Sequence, residues 1–529
     1  MQKTIQKFDY DYVIIGSGFG GSVSALRLSE KGYKVLVVEK GKWFRNADDF
    51  PKTNWNLRKW LWIPGVKFYG IMKMTFLRHV TIISGTGVGG GSLVYANTLP
   101  RPSSAFFELG SWAGLADWEL ELDEHYLEAL RMLGAVSSPK LFDADKALKK
   151  LSIEIGKEDC FRQPKVAVYF GEPGREVKDP YFNGEGPSRT GCIHCGGCMT
   201  GCRYNSKNTL DKNYLYFAQK FGAEILAENE VVGVDTIEAE DGQDGYTISL
   251  KSSTKFFKDS REVSTKGVVF SGGVLGTVKL LLKLKKKSLP RISEMLGGDI
   301  RTNNETLISV STLRDDLDMS KGVAIGSILH TDDDSHLEVV RYSEGSGFWK
   351  LLHLPVSHGS NMGVRLWRMM LSLVKSPWSY VRVYWSNVWS KKTAVLLFMQ
   401  TLDSTLRFRT GLLGGLSSTV SSGKPPSPNI PASNSLTQKF AELVNGKPTS
   451  FALETISGIP STAHVLGGAV MADSPENGVI NKNNEVFGYH NMLVVDGSMI
   501  SSNPGVNPSL TITAIAERCM SKINDKPNL

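Results

Sequence analysis

The clearest contrast between apolar and polar positions comes near the start of the chain. The β-branched run Tyr12-Val13-Ile14-Ile15 stops at Gly16-Ser17-Gly18-Phe19-Gly20-Gly21, and Ser22 to Lys31 follows with helical character. A second apolar run, Lys34 to Val38, ends at Glu39. The pattern predicts strand, glycine turn, helix and strand, the opening unit of a parallel sheet. Strands are also predicted at Glu224–Ala227 and Val231–Val234, after a helix over about 211–221, and at Gly267–Phe270, where Ser271-Gly272-Gly273 opens another helix. Asn491–Val495 predicts a buried strand that ends at Asp496-Gly497, and Asn507-Pro508 opens a helix over Ser509–Ser521. Val364–Lys375 reads as an amphipathic helix, and His336–Arg341 alternates as a strand. The Ser/Pro-rich stretch Ser417–Ser435 reads as a linker or exposed loop. No internal repeat is found.

The first glycine turn has a physical reading at each position. Gly16 permits a tight turn, Gly18 lets a pyrophosphate reach the backbone, and Gly21 lets the helix pack on the strand while its N-terminus offers N–H groups to phosphate, with Gly20 also expected at the cofactor. Glu39 stands where an acid bonds both ribose hydroxyls, which disfavours a 2′-phosphate. Spacing alone does not separate FAD from NAD. A second stretch, Gly85-Thr86-Gly87-Val88-Gly89-Gly90-Gly91-Ser92, has five glycines in seven residues. Glycine inside an element costs about 0.5–1 kcal/mol relative to alanine, so something is expected against that backbone. A surface loop is the competing reading, and the apolar flanks Thr81–Ile83 and Ser92–Val94 oppose it. Val231 or Val232 is placed to meet an adenine through its backbone, with Val232 the residue expected at the cofactor, and Asp496 and Gly497 end a parallel strand where ligands bind.

These two glycine segments, with His464-Val465-Leu466-Gly467-Gly468, Val495-Asp496-Gly497-Ser498 and Asn507-Pro508-Ser509-Leu510-Thr511, resemble the glucose-methanol-choline (GMC) oxidoreductases, and within them the cholesterol oxidase branch. The likeness is faint between about 310 and 450. It implies FAD as cofactor, with Gly85, Gly87, Gly90, Gly91 and Ser92 beside the flavin. Tyr95 stands where the family often has asparagine, and Asn97 is the expected substitute. The resemblance also implies that His464 and Asn507 face the flavin on the substrate side. Alcohol oxidation needs an acceptor for the hydroxyl proton, and histidine titrates near neutral pH. His464 is therefore expected to accept or position that proton while Asn507 fixes the carbinol oxygen. Glu338 is a candidate for the carboxylate that shuttles a proton during double-bond isomerisation, with a solvated strand-face acid as the alternative.

The expected fold is α/β: a Rossmann-like FAD-binding domain made of residues 1–105, 190–310 and 455–529, with a discontinuous α+β substrate-binding cap made of 106–189 and 311–454. Among the 529 residues, 41% hydrophobic and 22% charged content excludes collagen-like, coiled-coil and wholly disordered chains. The N-terminal residues show no secretory signal, and no stretch of eighteen apolar residues predicts a spanning helix, so the cytoplasm or its membrane face is the expected location.

The net charge of +8 is unevenly placed. Phe50–Phe107 and Gly345–Leu402 each hold seven Lys/Arg and no Asp/Glu, and together hold eight of the eleven tryptophans. Such segments suit an anionic membrane interface or an aromatic lid over a cavity, and both point to a lipophilic alcohol. No nucleic-acid recognition motif accompanies them. Cys192-x2-Cys195-x2-Cys198-x3-Cys202 repeats a ferredoxin spacing with Arg203 in place of the usual proline. The readings open for it are an iron-sulfur cluster, structural zinc, or free or disulfide-forming thiols. A cluster would make a carrier rather than dioxygen the electron acceptor. An electron-transfer flavoprotein without alcohol chemistry, and an oxidase or dehydrogenase of long-chain or isoprenoid alcohols, remain alternatives.

Overall fold

The strand Tyr10–Ile15 is the middle of the first sheet, with Val13 and Ile14 wholly buried. The computed structural model describes residues 8–527 apart from 256–258, 360, 403, 412–413 and 424. Tyr10–Ile15 pairs in parallel with Val35–Val38 on one side and with the second half of Ser260–Phe270 on the other. Glu224–Leu226 and Met492–Val494 extend this parallel core at its two ends. The first half of Ser260–Phe270 instead pairs antiparallel with Tyr246–Ser252, which pairs with Asn229–Thr236, completing seven strands. Continuous apolar runs are what such strands need when both faces are covered.

The helix Phe19–Glu30 packs against Ser509–Ser521 and Tyr214–Lys220. A Cβ on Gly20 would lie 1.8 Å from the Val495 carbonyl oxygen, and one on Gly21 would lie 2.1 Å from that of Gly16. Only hydrogen fits between this helix and the sheet. The helix Trp118–Met132 also joins this core, through Trp118, Leu122, Tyr126, Ala129 and Met132 on one stripe. Tyr126 donates to Thr511 Oγ1 at 3.0 Å, and Arg518 donates to Glu121 at 2.7 Å. This part of the expected cap is thus packed into the nucleotide half.

A second, antiparallel sheet of seven strands follows the order His353–Pro355, Gly446–Phe451, Thr306–Thr312, Thr393–Gln400, Ser335–Val340, Ile325–His330 and Phe161–Arg162. Its period of two divides the faces. Leu337, Val339, Leu396 and Phe398 meet the helices Asp143–Glu154 and Pro431–Leu443, while Ile325, Val340, Val395, Leu397 and Met399 cluster on the other face. The boundary expected at 310 falls inside the strand Thr306–Thr312. The expected linker at 417–435 is largely regular: Leu416–Ser422 pairs with Thr405–Thr410, and Pro431 begins a helix, a position that needs no backbone donor. Residue 424 lies outside the described residues.

Gly20→Ala is expected to cost on the order of 1–3 kcal/mol by overpacking. Urea denaturation checks this against Gly65→Ala, whose added methyl meets nothing within 4 Å and leaves the midpoint unchanged.

Candidate active site

Between the two sheets lies a cavity of about 910 Å³. One arm runs along the carboxyl ends of the parallel strands and is lined by Gly16, Gly18, Gly20, Glu39, Gly85, Gly90, Gly91, Val232, Asp496 and Gly497. Gly18 is open to it, since the nearest atom to a Cβ there is 4.0 Å away. The Glu39 carboxylate accepts from Ser17 Oγ at 2.8 Å and from the Gly41 amide at 2.8 Å, which fixes it in the wall. A bulge between Val231 and Gly233 drops Val232 out of the ladder and turns it to the cavity. Asp496 is buried and accepts from Thr277 Oγ1 at 2.5 Å and from the Ser498 amide at 2.8 Å. Narrow backbone walls, an anchored acid and the helix N-termini after Gly18 and Pro508 form a cradle that fits a dinucleotide.

Four residues expected at the cofactor do not line this cavity. Gly21 is occupied by helix–strand packing, and a Cβ on Gly87 would meet Leu93 and Phe44. Ser92 ties its own turn to Leu210, donating to the Gly89 carbonyl at 2.7 Å and accepting the Leu210 amide at 3.1 Å. Asn97 is buried at φ 71° with neither side-chain polar atom hydrogen-bonded among the described residues, and Tyr95, Ala96 and Thr98 face the cavity instead. Part of what presses on the second glycine segment is the first, because a Cβ on Gly90 would lie 2.7 Å from Gly18 Cα.

The other arm is apolar, walled by Met72, Ile83, Met199, Leu307, Ile325, Val340, Trp349, Val395, Leu397 and Phe451. His464 and Asn507 stand where the arms meet. His464 Nδ1 lies 2.5 Å from Glu305 Oε2, and Glu305 Oε1 accepts the Ala463 amide at 2.7 Å. Nδ1 therefore carries the proton, and Nε2 faces Asn507 Nδ2 at 3.4 Å. The same amide nitrogen donates to Glu338 Oε2 at 3.3 Å, while Asn507 Oδ1 is buried without a partner among the described residues. Burial pulls the His464 imidazole down, but the Glu305 charge and hydrogen bond, with Glu338 behind, outweigh it and hold it above its ordinary value.

Glu305 and Glu454 gave no sequence signal. Glu454 lines the cavity and accepts the Ser461 amide at 3.0 Å; burial first, and repulsion from Glu305 with it, push its carboxyl up to about 8. A helical or strand pattern cannot reveal Glu305, whose partner is 159 residues away.

The four cysteines do not form the expected metal centre. Among the described residues no group of three or more His, Cys, Asp or Glu is arranged to hold a metal. Cys192 and Cys198 are buried with Val166, Val168, Val323 and Ala324. Cys202 lies instead by Lys212 and the amides of Lys207, Ser206 and Tyr204. Burial pushes the Cys192, Cys195 and Cys198 thiols up, while at Cys202 burial is outweighed by the Lys212 charge and the backbone amides, which lower it. An iron-sulfur or zinc site is not supported among the described residues. The segment has a structural tie instead: buried Lys207 donates to the carbonyls of Leu93, Tyr95 and Cys198 at 3.0, 2.9 and 2.8 Å, which backs the cavity wall.

Models of the GMC oxidoreductase family match residues 10–288 and 430–516, and the chain belongs to that family. It is 46% identical over 536 residues to a cholesterol oxidase of Acinetobacter baumannii, covering 99% of this chain and 96% of that one. It is 43% identical over 533 residues to a cholesterol oxidase of Mycobacterium tuberculosis, covering 97% and 91%. A long-chain-alcohol oxidase of Arabidopsis thaliana, FAO4B, is 24% identical over 97% of this chain and 67% of its own. In fold, the chain is similar to the crystal structure of pyridoxine 4-oxidase from Mesorbium loti, with a TM-score of 0.60 at 14% identity over 97% and 98% of the two chains. The protein is an FAD-dependent alcohol oxidoreductase.

Replacing Glu305 by Gln removes the charge that raises His464, so the imidazole pKa falls. A base must be unprotonated to act, so the acidic limb of kcat/KM moves to lower pH. The expected loss at the plateau is roughly 10²-fold, read from steady-state rates across pH.

Proposed function

We propose that the protein oxidises a bulky lipophilic secondary alcohol, a sterol-like 3-hydroxy compound, to the ketone, with dioxygen as the final electron acceptor. The observation that carries this reading is the apolar arm ending at the His464–Asn507 pair beside the glycine-walled cradle. Relatives of 43–46% identity named cholesterol oxidases support the substrate class and the acceptor.

Gly16, Gly18, Gly20, Glu39, Val232 and Asp496 would hold the FAD, which when bound supplies the hydride acceptor. The chain's own residues manage the hydroxyl. Asn507 presents an unpartnered buried oxygen that a hydroxyl can donate to, and His464 Nε2, the acceptor nitrogen in the tautomer that the Nδ1–H bond to Glu305 sets, takes the hydroxyl proton while the Glu305 charge stabilises the imidazolium that forms. The N-terminus of Ser509–Ser521 places positive potential at this junction, where negative charge develops. The apolar walls exclude water. Glu338, at 3.3 Å from the Asn507 amide, is the carboxylate available for a proton shift within the substrate's ring. The relative named a long-chain-alcohol oxidase favours long-chain alcohols as a second substrate class.

The basic tryptophan segments divide into both roles open to them. Trp60, Trp62, Trp349 and Trp389 are buried, with Trp349 in the cavity wall. Trp367, Trp378 and Trp385 are 65%, 79% and 80% exposed on the helices Met362–Lys375 and Pro377–Trp385, beside exposed Met370 and Val374 and the cations Arg368, Lys375 and Arg382. Met362–Lys375 packs on His353–Pro355 and Ala452–Ser457, elements that flank the cavity. No helix among the described residues is long and apolar enough to cross a membrane. Exposed tryptophan beside cations supports docking at an anionic bilayer surface, the cytoplasmic leaflet in our reading, where the substrate is collected.

Anaerobic mixing with a 3-hydroxysterol is expected to bleach the flavin and release ketone, and His464→Ala is expected to keep its flavin but lose the bleaching. Unchanged bleaching in that variant would refute the role. Replacing Trp367, Trp378 and Trp385 together by Ala should weaken sedimentation with phosphatidylserine vesicles while preserving activity on detergent-dispersed sterol; equal vesicle binding would remove the membrane reading.

A further inference from the structure

On the cavity face of the second sheet two titratable side chains stand side by side among aliphatic neighbours. His336 and Glu338 lie two residues apart on Ser335–Val340, so they share a face, and both are buried, at 3% and 0% exposure. Around them the face is Ile325, Val340, Val395, Leu397 and Met399. Burying an acid and an imidazole in such surroundings costs free energy that apolar residues would not. Packing gives no reason for them.

Their geometry has a direction. Glu338 Oε2 accepts from Asn507 Nδ2, and Oε1 lies 3.4 Å from His336 Nε2. Oε1 and Nε2 are both buried without a hydrogen-bond partner of good geometry among the described residues. Across the ladder His336 pairs with His330, their rings 5.6 Å apart between centroids, and His330 ends its strand exposed to solvent. A file of neighbouring titratable groups thus runs from the Asn507 amide to the surface.

We propose that His336 and His330 form a proton relay between Glu338 and bulk water, serving the substrate end of the cavity. The relay rests on the alcohol-oxidation reading. When the carbinol is oxidised, the C–H electron pair leaves as hydride to the bound flavin, the O–H bond breaks, and the C=O bond forms. The freed proton goes first to His464 Nε2 and from there to Glu338, the carboxylate that faces the imidazole across Asn507; Glu338 passes one to His336 Nε2, His336 releases one from Nδ1 toward His330, and His330 releases one to water. Each imidazole gains one proton and loses one, so no charge is left buried. The same file run backwards returns a proton when the electrons leave for dioxygen.

The groups facing His330 suit the exit. Desolvation, then the neighbouring His336 and the Arg162 guanidinium on the edge strand, hold its imidazole below the usual value, with Glu338 opposing. It therefore gives up a proton readily at neutral pH. His464 faces Glu338 from the other side, so both proton acceptors flank the same amide.

The test uses the holoenzyme, with anaerobic flavin bleaching by a 3-hydroxysterol followed in H2O and D2O. The wild type is read first: if the sterol leaves its flavin unbleached, the alcohol-oxidation reading fails, and the relay with it. With a bleaching wild type, His336→Gln is expected to slow bleaching roughly tenfold or more. Its solvent isotope effect should rise, and added imidazole should restore part of the rate. His330→Gln, at an exposed position that the fold tolerates, should show a smaller loss with the same rise in isotope effect. Bleaching at the wild-type rate in both variants, or a loss with unaltered isotope effect and no rescue by imidazole, overturns the relay.

Discussion

The bond between Glu305 and His464 joins two halves of the molecule that are built on different plans. Glu305 immediately precedes the strand Thr306–Thr312 of the antiparallel sheet, while His464 follows the short strand Ser461–Thr462 and leads back toward the parallel one. Beside it, Arg301 and Leu466 exchange backbone hydrogen bonds at 2.8 and 2.9 Å. A buried carboxylate has little reason to persist beyond water's reach unless it is paired, and here the pair also sets which imidazole nitrogen faces the cavity. The orientation of the imidazole at the junction of the sheets depends on this contact.

The division of labour follows from the two kinds of sheet. Parallel strands end in turns and helix N-termini that suit phosphate, and the close glycine contacts of Gly16, Gly20 and Gly21 leave no side chains in the way. The antiparallel sheet, with one face on helices and one on the cavity, supplies an apolar wall by simple alternation. Polar residues on that wall are exceptions with positions that matter: Glu338 at the catalytic amide, and His336 beside it.

The nucleotide half was legible because its signals are local. A glycine turn between an apolar strand and a helix keeps its meaning wherever the rest of the chain goes, and the helix Ser509–Ser521 ends where its pattern ends. Glu305 and Glu454 were not legible, since their roles come from contacts made only on folding. The cysteines misled for a related reason: sequence spacing orders the residues along a loop, yet Cys192 and Cys198 turn into an apolar cluster while Cys202 turns to backbone amides. The helix Trp118–Met132 was assigned to the cap by its place in the chain, although its apolar stripe matches the nucleotide core.

The central claim is that hydride leaves the carbinol carbon while the residues at the junction hold the hydroxyl. The most direct measurement compares anaerobic flavin bleaching by a 3-hydroxysterol and by the same sterol carrying deuterium on the carbinol carbon, with the product quantified. The account predicts slower bleaching with the deuterated sterol and one ketone formed per flavin bleached. Bleaching that ignores the label, or that yields no ketone, would contradict it.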